Sequence, residues 1–576
     1  MISLISAPAL LVILLLLVSF GLFQILLETL KNHNKKQNNI LLLSILVFCV
    51  SIIFHFYKMT EVPPSGHEDD SKIVITAYIL KNTWQDSSQK FIPYFPDLKI
   101  YYHNEHIGGE AERGIPIYIQ TFIQYFTGPG HFSFRLESTV ITLCITILIV
   151  GITCFLSKNI STSLMFGSLF TILPWARIFA RTTTESTSYC FASACFIFSL
   201  FYLVKKKNFI GILIYLLSLS ILYISYSPGI LLAPLASILI PFILRLHSSE
   251  YKDLSTKIFI ASVVLLGVLY FNFKEDAGFK HVIARAQYAQ GLAGIENFDL
   301  QQLASTFLKN ASTYTANYLS YLLPNFLFLT GDGNLRHNTG FSGQLFCTLC
   351  LAFYIGFIYL ISMAKQELSL RLLLGYLLIS FIPASVSLEG ALDPITRLPL
   401  HALRAGSMLP IVGIILFLGL VQISKKSKIL FSVYLLAICL NAYFFYSDYF
   451  YNYPKRLGNS WITDPGLPQT TQEALKIIKK YPSKKLFYHC SAYSIIYHNL
   501  DIIGINALLK GDGILSNVYS YLDYKDRIPI QEGDLLVVQE PFDYAGLNKK
   551  FKFILRVRNQ YLPNNDFGAS LIEILE

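Results

Sequence analysis

Apolar runs of about 20 residues recur along this chain, each long enough to cross a ~30 Å hydrocarbon core. Twelve are read, at 3–30, 39–59, 137–156, 160–175, 187–204, 209–226, 229–246, 257–272, 345–363, 371–388, 406–423 and 429–446. They must be helical, because lipid offers no partner to an unpaired backbone N–H or C=O. Composition agrees: 53% of the 576 residues are hydrophobic and 14% are charged, against about 25% charged in soluble globular proteins. A water-exposed fold of this size is excluded. So is disorder, since Phe, Tyr, Leu and Ile are abundant. The expected fold class is an all-α polytopic membrane bundle of about twelve transmembrane helices.

Lys and Arg in short loops orient such a bundle. The connections KNHNKK (31–36), SKN (157–159), KKK (205–207), RLHSSEYKDLSTK (245–257), AKQELSLR (364–371) and KKSK (425–428) hold fifteen basic residues against three acids. They belong on the cytoplasmic side. Every long connection (60–136, 273–344, 389–405 and the tail from 447) then faces outward. The first span lacks a basic n-region and a small-residue cleavage site, so it reads as a retained helix. The net charge of +10 reflects the cytoplasmic bias and requires no nucleic-acid partner. Of nine cysteines, all but Cys490 lie in apolar spans. Cys347 and Cys350 read as buried small hydrophobes, and no disulfide framework is implied.

The polar chemistry collects on the outward side. The first loop opens TEVPPSGHEDDSKIVITAYILKN, where Pro63, Pro64 and Gly66 break the helix and Glu68, Asp69 and Asp70 follow. ITAYILKNTW is expected to lie along the membrane surface, apolar side to lipid. Carboxylates at that boundary make good proton acceptors; a solvated acidic turn is the plainer alternative. Further on, Glu105, Glu110, Glu112, Arg113 and Arg135 crowd the approach to the next span. His103, Glu105 and His106 match no metal-site spacing. Arg135 either holds a phosphate or snorkels.

The turn LPWARIFARTTTESTSY carries Arg177, Arg181 and Glu185, the last at a helix start where an anion is favoured. In TGDGNLRHNTGFSGQ, glycines make tight turns around Asp332, Arg336 and His337. EGALDPITRLPLHALRAG adds Arg397, His401 and Arg404, with His401 and Arg404 on one helical face at i, i+3. Two Arg/His pairs at the outer mouth of the bundle suit a phosphate or phosphodiester. The tail, 447–576, alternates a helical stretch (TTQEALKIIKKYP) with strand-like KKLFYHC, GDLLVVQEP and FKFILRVRN, and reads as a small extracytoplasmic α/β domain. The domain boundary therefore falls between a transmembrane domain, 1–446, carrying outer loops 60–136 and 273–344, and the tail.

Together these features resemble the GT-C membrane glycosyltransferases, in particular the branch of protein O-mannosyltransferases and lipid A aminoarabinose transferases. HEDD (67–70), followed by a helix with the small residue Ala77, looks like the family's first-loop acidic pair. GIPIYIQTFIQYFTGPGHFSFRLES (114–138) is similar to its Pro–Tyr … Gly … Arg–Leu–x–Ser segment, and IFARTTTES (178–186) to its Ala–Arg … acid motif. LPNFLFLTGDGNLRHNTGFSGQL and PLHALRAGSMLP resemble phrases of bacterial members. The resemblance covers residues 39–446. Two departures stand out: Glu–Asp–Asp where the family shows Asp–Glu, and Glu185 where Asp is common. The helix at 3–30 is extra.

The resemblance implies an inverting transfer of a monosaccharide from a polyprenyl-phosphate carrier to an acceptor hydroxyl on a lipid, glycan or protein. Asp69 would be the base, with Asp70 and then Glu68 behind it. Arg336, His337, His401 and Arg404 would receive the leaving phosphate, with Arg135 and Arg181 as further phosphate candidates. Glu185 and Arg181 would orient the acceptor or the base. No cofactor is certain; a divalent metal is compatible and not required. Membrane lipids complete the partners, and a bacterial inner membrane is the expected location. A transporter or lipid flippase is the rival from another class, although mid-span charges are few and no half-to-half repeat is visible.

Overall fold

The computed structural model describes residues 7–31, 38–63, 68–93, 95–102, 105–111, 114–182, 185–274, 276, 279–280, 283–284, 300–388, 398–457, 467–489, 496, 499–510, 513–520, 530–539, 542, 544, 547, 549–558 and 567–575. Its main helices in chain order are α1 (Ala7–Lys31), α2 (Asn38–Phe54), α3 (Glu68–Thr83), α4 (Gly114–Thr127), α5 (His131–Ser157), α6 (Ile160–Thr171), α7 (Pro174–Phe179), α8 (Glu185–Lys206), α9 (Phe209–Ser225), α10 (Ser227–His247), α11 (Lys252–Phe273), α12 (Leu300–Ser320), α13 (Cys350–Met363), α14 (Leu368–Ser380), α15 (Met408–Lys426), α16 (Lys428–Tyr451) and α17 (Leu467–Lys480).

Among the described residues, eight helices are long and apolar enough to cross a membrane, and four shorter apolar helices accompany them. These twelve fall on the twelve runs read from the sequence. The chain is an integral membrane protein of the expected class. Of the two briefest runs, 160–175 falls on the short helix Ile160–Thr171, whereas 257–272 lies in a 25-residue one, Ser249–Phe273.

Packing divides the chain into two units. The helical unit comprises Met1–Tyr57 and Ser138–Asp448. It is held by close backbone approaches as well as by side chains. A Cβ at Gly356 of α13 would meet the Ile415 carbonyl oxygen at 1.9 Å, and one at Gly419 of α15 would meet the Ala352 oxygen at 1.8 Å. Only glycine lets these two helices touch, the small-residue contact that bilayers favour.

The mixed unit comprises Lys58–Glu137 and Tyr449–Glu576. Thus the first long loop groups with the tail, whereas the sequence reading had assigned it to the transmembrane domain. The tail sheet has the order β4-β3-β5-β7-β6, built from β3 (Leu486–His489), β4 (Val518–Ser520), β5 (Leu535–Gln539), β6 (Phe551–Arg558) and β7 (Phe567–Ile574). Strand β3 runs parallel to β4 and β5, and β7 pairs antiparallel with β5 and β6. Alternate residues serve opposite faces. Leu486, Leu535, Val537 and Leu571 join α17 and α3 in one core, while Phe487, Leu536, Val538 and Ile572 form the other.

Helix α3 corrects an expectation. Its Ile73, Val74, Ile75, Ala77, Ile79 and Leu80 are all buried. Val74, Ile75 and Ile79 pack with the tail's core, and Ile73, Ala77 and Leu80 pack with Ile117 of α4. Apolar residues at these positions wrap both sides of the helix, so it is buried in protein and has no lipid-facing side. A hairpin that the sequence reading missed follows it: β1 (Asp97–Tyr102) pairs antiparallel with β2 (Glu105–Ala111), with Tyr102 opposite Glu105.

Candidate functional site

The residues read from the sequence fall into three groups. The first lies in the mixed unit. Asp70, in the first turn of α3, is buried at 4% exposure. Glu68 and Asp69 share that turn, but their side chains lie outside the described residues, as do His103, Glu112, Arg113 and Arg397. Arg135 is fully buried: Nη2 donates to the Pro63 carbonyl (3.4 Å), Nε donates to His131 Nε2 (3.5 Å), and the guanidinium sits 5.2 Å from the Phe134 ring centre. That burial removes the snorkelling alternative. Glu137, two residues on, is equally buried.

The second group closes the end of α2. Arg181 Nη2 donates to the Tyr57 carbonyl at 2.7 Å, and Arg177 donates to the carbonyls of Phe54 (3.2 Å) and Tyr57 (3.4 Å). Arg177 also lies over the rings of Phe54 and Tyr446. Both arginines are fully buried. They supply donors to carbonyls at and just past the C-terminus of α2, where a cation is also favoured by the dipole; the Phe54 carbonyl accepts the Tyr57 N–H as well. Glu185 begins α8 as its one first-turn acid, and is partly exposed.

The third group, in the helical unit, is the most developed. After α12 the chain makes a short π-helical turn, Asn325–Leu329, and enters the 330–344 loop. Gly331 has φ +71, and a Cβ there would meet Asn338 Nδ2 at 1.7 Å. The left-handed turn therefore requires glycine. Asn338 Nδ2 donates to the Thr330 carbonyl, and its Oδ1 accepts from the Gly340 N–H, so one side chain bridges the loop. Leu345 N–H bonds the Leu327 carbonyl, and Trp175 N–H bonds that of Gln344. The loop is thereby fixed to its surroundings through backbone bonds.

Inside it Asp332, whose side chain is 1% exposed, is a hub. Oδ2 accepts from the Ala402 N–H (2.7 Å) and faces His337 Nδ1 (2.9 Å), while Oδ1 accepts from the Asn334 N–H (2.8 Å). The ring of His401 lies 4.6 Å from that of His337, centre to centre, at 30°. The His401 N–H donates to the Tyr321 hydroxyl (3.0 Å). Burial holds that phenol above its ordinary pKa, partly offset by the His401 bond. Arg336 is buried in the same turn, and Arg404 donates to the Ser387 hydroxyl. The 401–407 stretch is a run of turns ahead of α15, not the regular helix read from the i, i+3 spacing.

Asp332, His337 and His401 each offer one ligand atom, all within 4.8 Å of one another. Two histidines and a carboxylate are a metal-competent donor set. Equally, Asp332 fixes His337 through Nδ1 and leaves Nε2 as the ring atom available to a ligand. Asp332 was read from the sequence only as a turn residue. Its place five residues before His337 is a weak signal, because the Ala402 contact comes from a distant segment.

No protein-family model and no curated protein matches the sequence. Among solved structures, the chain is similar to the crystal structure of ArnT from Cupriavidus metallidurans bound to undecaprenyl phosphate. The TM-score is 0.53 at 12% identity, covering 92% of this chain and 97% of that one. A second similarity is to the Archaeoglobus fulgidus oligosaccharyltransferase in complex with Zn and sulfate. Its TM-score is 0.49 at 10% identity, covering 87% of this chain and 68% of that one. At such identity the ArnT likeness is one of fold alone.

Proposed function

We propose that this protein is a membrane glycosyltransferase that moves a monosaccharide from a polyprenyl-phosphate carrier to an acceptor hydroxyl, inverting the anomeric centre. The observation that carries the reading is the Asp332–His337–His401 cluster with Arg336 and Arg404, built on one fixed loop and one run of turns. Arg336 and His337 are buried and Arg404 and His401 half-buried, and preorganised cations shielded from water are what a departing phosphate monoester needs. In this reading His337, oriented by Asp332, and Arg404 meet the phosphate, with Arg336 and His401 completing the pocket. Asp69, with Asp70 and Glu68 behind it, takes the proton of the attacking hydroxyl. Arg181 and Arg177 act structurally, by capping α2. Arg135 and Glu185 keep their roles as phosphate and acceptor-orienting candidates. The fold likeness to a structure holding undecaprenyl phosphate supports a lipid-phosphate donor over a transporter or flippase. A divalent metal on the Asp332 trio would supply Lewis-acid charge at the same place. The acceptor is a lipid, glycan or protein, and the site is proposed to lie on the outer face of a bacterial inner membrane.

The test is binding of undecaprenyl phosphate by the purified protein in native mass spectrometry. The unaltered protein is expected to retain the lipid, and Arg404→Ala to lose most of it. Equal retention by a double Arg336→Ala, Arg404→Ala variant would remove the phosphate site from this cluster.

A further inference from the structure

Helix α4 buries two glutamines beside its isoleucines and exposes aromatic rings. Gln120 and Gln124 are fully buried, with Gln120 Nε2 donating to Ser133 Oγ (2.9 Å) and Gln124 Nε2 donating to the Val74 carbonyl (3.0 Å). Phe122, Tyr125 and Phe126 instead stand exposed at 64%, 47% and 76%. A helix facing water carries the opposite pattern. The exposed rings are organised: Phe122 and Phe126 meet edge-on at 5.2 Å, and Tyr125 lies 6.3 Å from Trp84, itself 54% exposed. Phe91 (69% exposed) lies close in space to this segment, where the chain returns to pair with Gln85, next to Trp84.

We propose that this aromatic face of α4, with Trp84 and Phe91, rests in the headgroup layer of the bilayer. Three observations select lipid over a protein partner. First, only the Gly128–Pro129–Gly130 turn separates α4 from α5, which is long and apolar enough to span. Phe132, in the first turn of α5, is exposed as well (48%), so apolar exposure runs along the chain from α4 to the start of a spanning helix. Second, Trp and Tyr mixed with Phe is the composition of membrane–water belts. Third, Lys81 lies 5.6 Å from the Tyr125 ring centre and donates to the Gln124 carbonyl, and Lys90 is exposed nearby. Cations at this level suit anionic headgroups. The irregular, polar 85–90 segment excludes the hydrocarbon core, where non-helical backbone exposed to lipid is not tolerated. Depth is therefore fixed at the interface. Of ITAYILKNTW only Trp84, its last residue, keeps the surface role expected of that stretch; the rest of the role passes to α4. The inference stands independently of the transferase reading.

The experiment uses the full chain in nanodiscs of phosphatidylcholine and phosphatidylglycerol. Trp84 is read as the difference in emission between the native protein and Trp84→Phe, which alters only an exposed side chain. Phosphatidylcholine brominated high on the acyl chain is expected to quench most of this difference. Lipid brominated near the terminal methyl should quench less, and aqueous iodide little. A second reporter, Phe126→Trp in the native chain, is expected to behave alike. Quenching of both by iodide and by neither bromolipid would overturn the proposal in favour of a water-facing patch. Protection of both from iodide and bromolipid would overturn it in favour of a protein cover, such as a second copy.

Discussion

Asp332 is the residue on which the proposed phosphate pocket depends. Its carboxylate engages three donors, Ala402 N–H, Asn334 N–H and the His337 ring, at 2.7, 2.8 and 2.9 Å, with the side chain 1% exposed. A hydrogen bond to a charged group contributes about 1.5–3 kcal/mol. Asp332→Ala therefore forfeits a gross of about 5–9 kcal/mol, of which water entering the vacated space restores part. A net loss of about 3–5 kcal/mol is expected, the usual cost of removing one partner of a buried pair. Asp332→Asn separates structure from chemistry. Its amide oxygen can keep the Oδ2 position, still serving Ala402 and His337, while its NH₂ opposes only the Asn334 N–H, at a cost of about 1–3 kcal/mol. The charge behind His337 is gone, and outer-shell partners of this kind are worth about 10- to 100-fold in activity. The assay pairs thermal unfolding in detergent with clearance of the lipid-linked sugar in a complemented deletion host. Asp332→Ala should lower the unfolding midpoint strongly. Asp332→Asn should lower it slightly and yet clear the sugar slowly. A folded Asp332→Asn protein clearing the sugar at the native rate would refute the positioning argument.

Three further outcomes follow from the packing and charge. Gly419→Ala sets a Cβ against the Ala352 carbonyl, where the approach is 1.8 Å; overpacking by about 1–3 kcal/mol should lower the unfolding midpoint and the yield of folded protein in membranes. Arg177→Ala and Arg181→Ala should likewise lower the unfolding midpoint, because the carbonyls at and just past the end of α2 each lose a donor and a buried side chain is removed, while bound undecaprenyl phosphate in native mass spectrometry stays near the unaltered level. Glu573 is hydrogen-bonded to Lys484 and to Lys552, which lowers its pKa from 4.5. Because the folded value is the lower one, its stabilisation is full above the unfolded value and is lost as pH falls through the folded one. Glu573→Gln should therefore flatten the acid limb of the mixed unit's unfolding, followed by far-ultraviolet circular dichroism, relative to the native chain.

The membrane spans were legible because the signal is length and apolarity alone, and both are properties of the chain itself. The tail strands at KKLFYHC, GDLLVVQEP and FKFILRVRN were legible for a similar reason, being short apolar runs bounded by charge or turn residues. Strand β7, which lies between β5 and β6 in the sheet, escaped because Gly568, Ala569 and Ser570 dilute its apolar signal. Helix α3 shows a different limit. Its apolar residues were visible, but whether they meet lipid or protein depends on partners at Leu475, Leu486 and Val537, hundreds of residues away. In α4 the exposed Phe122 and Phe126 carry the information only once Gln120 and Gln124 are seen to be buried. At the candidate site, Arg336, His337, His401 and Arg404 were grouped by residue type and expected side. The hub that links two of their segments, Asp332 to Ala402, is a tertiary contact with no local signature. Arg181 was legible only as a phosphate or orienting candidate, because its partner, the Tyr57 carbonyl, lies in a turn more than a hundred residues away.

The most direct test of the central claim is mass spectrometry of the polyprenyl-phosphate pool in a host lacking this gene, complemented with the native protein or with Asp69→Asn. The account predicts that one lipid-linked sugar accumulates in the deletion, that the native protein clears it, and that Asp69→Asn does not. Clearance by Asp69→Asn at the native rate would move the base to Asp70 or Glu68. A pool unchanged by deletion and by complementation would contradict the transferase assignment itself.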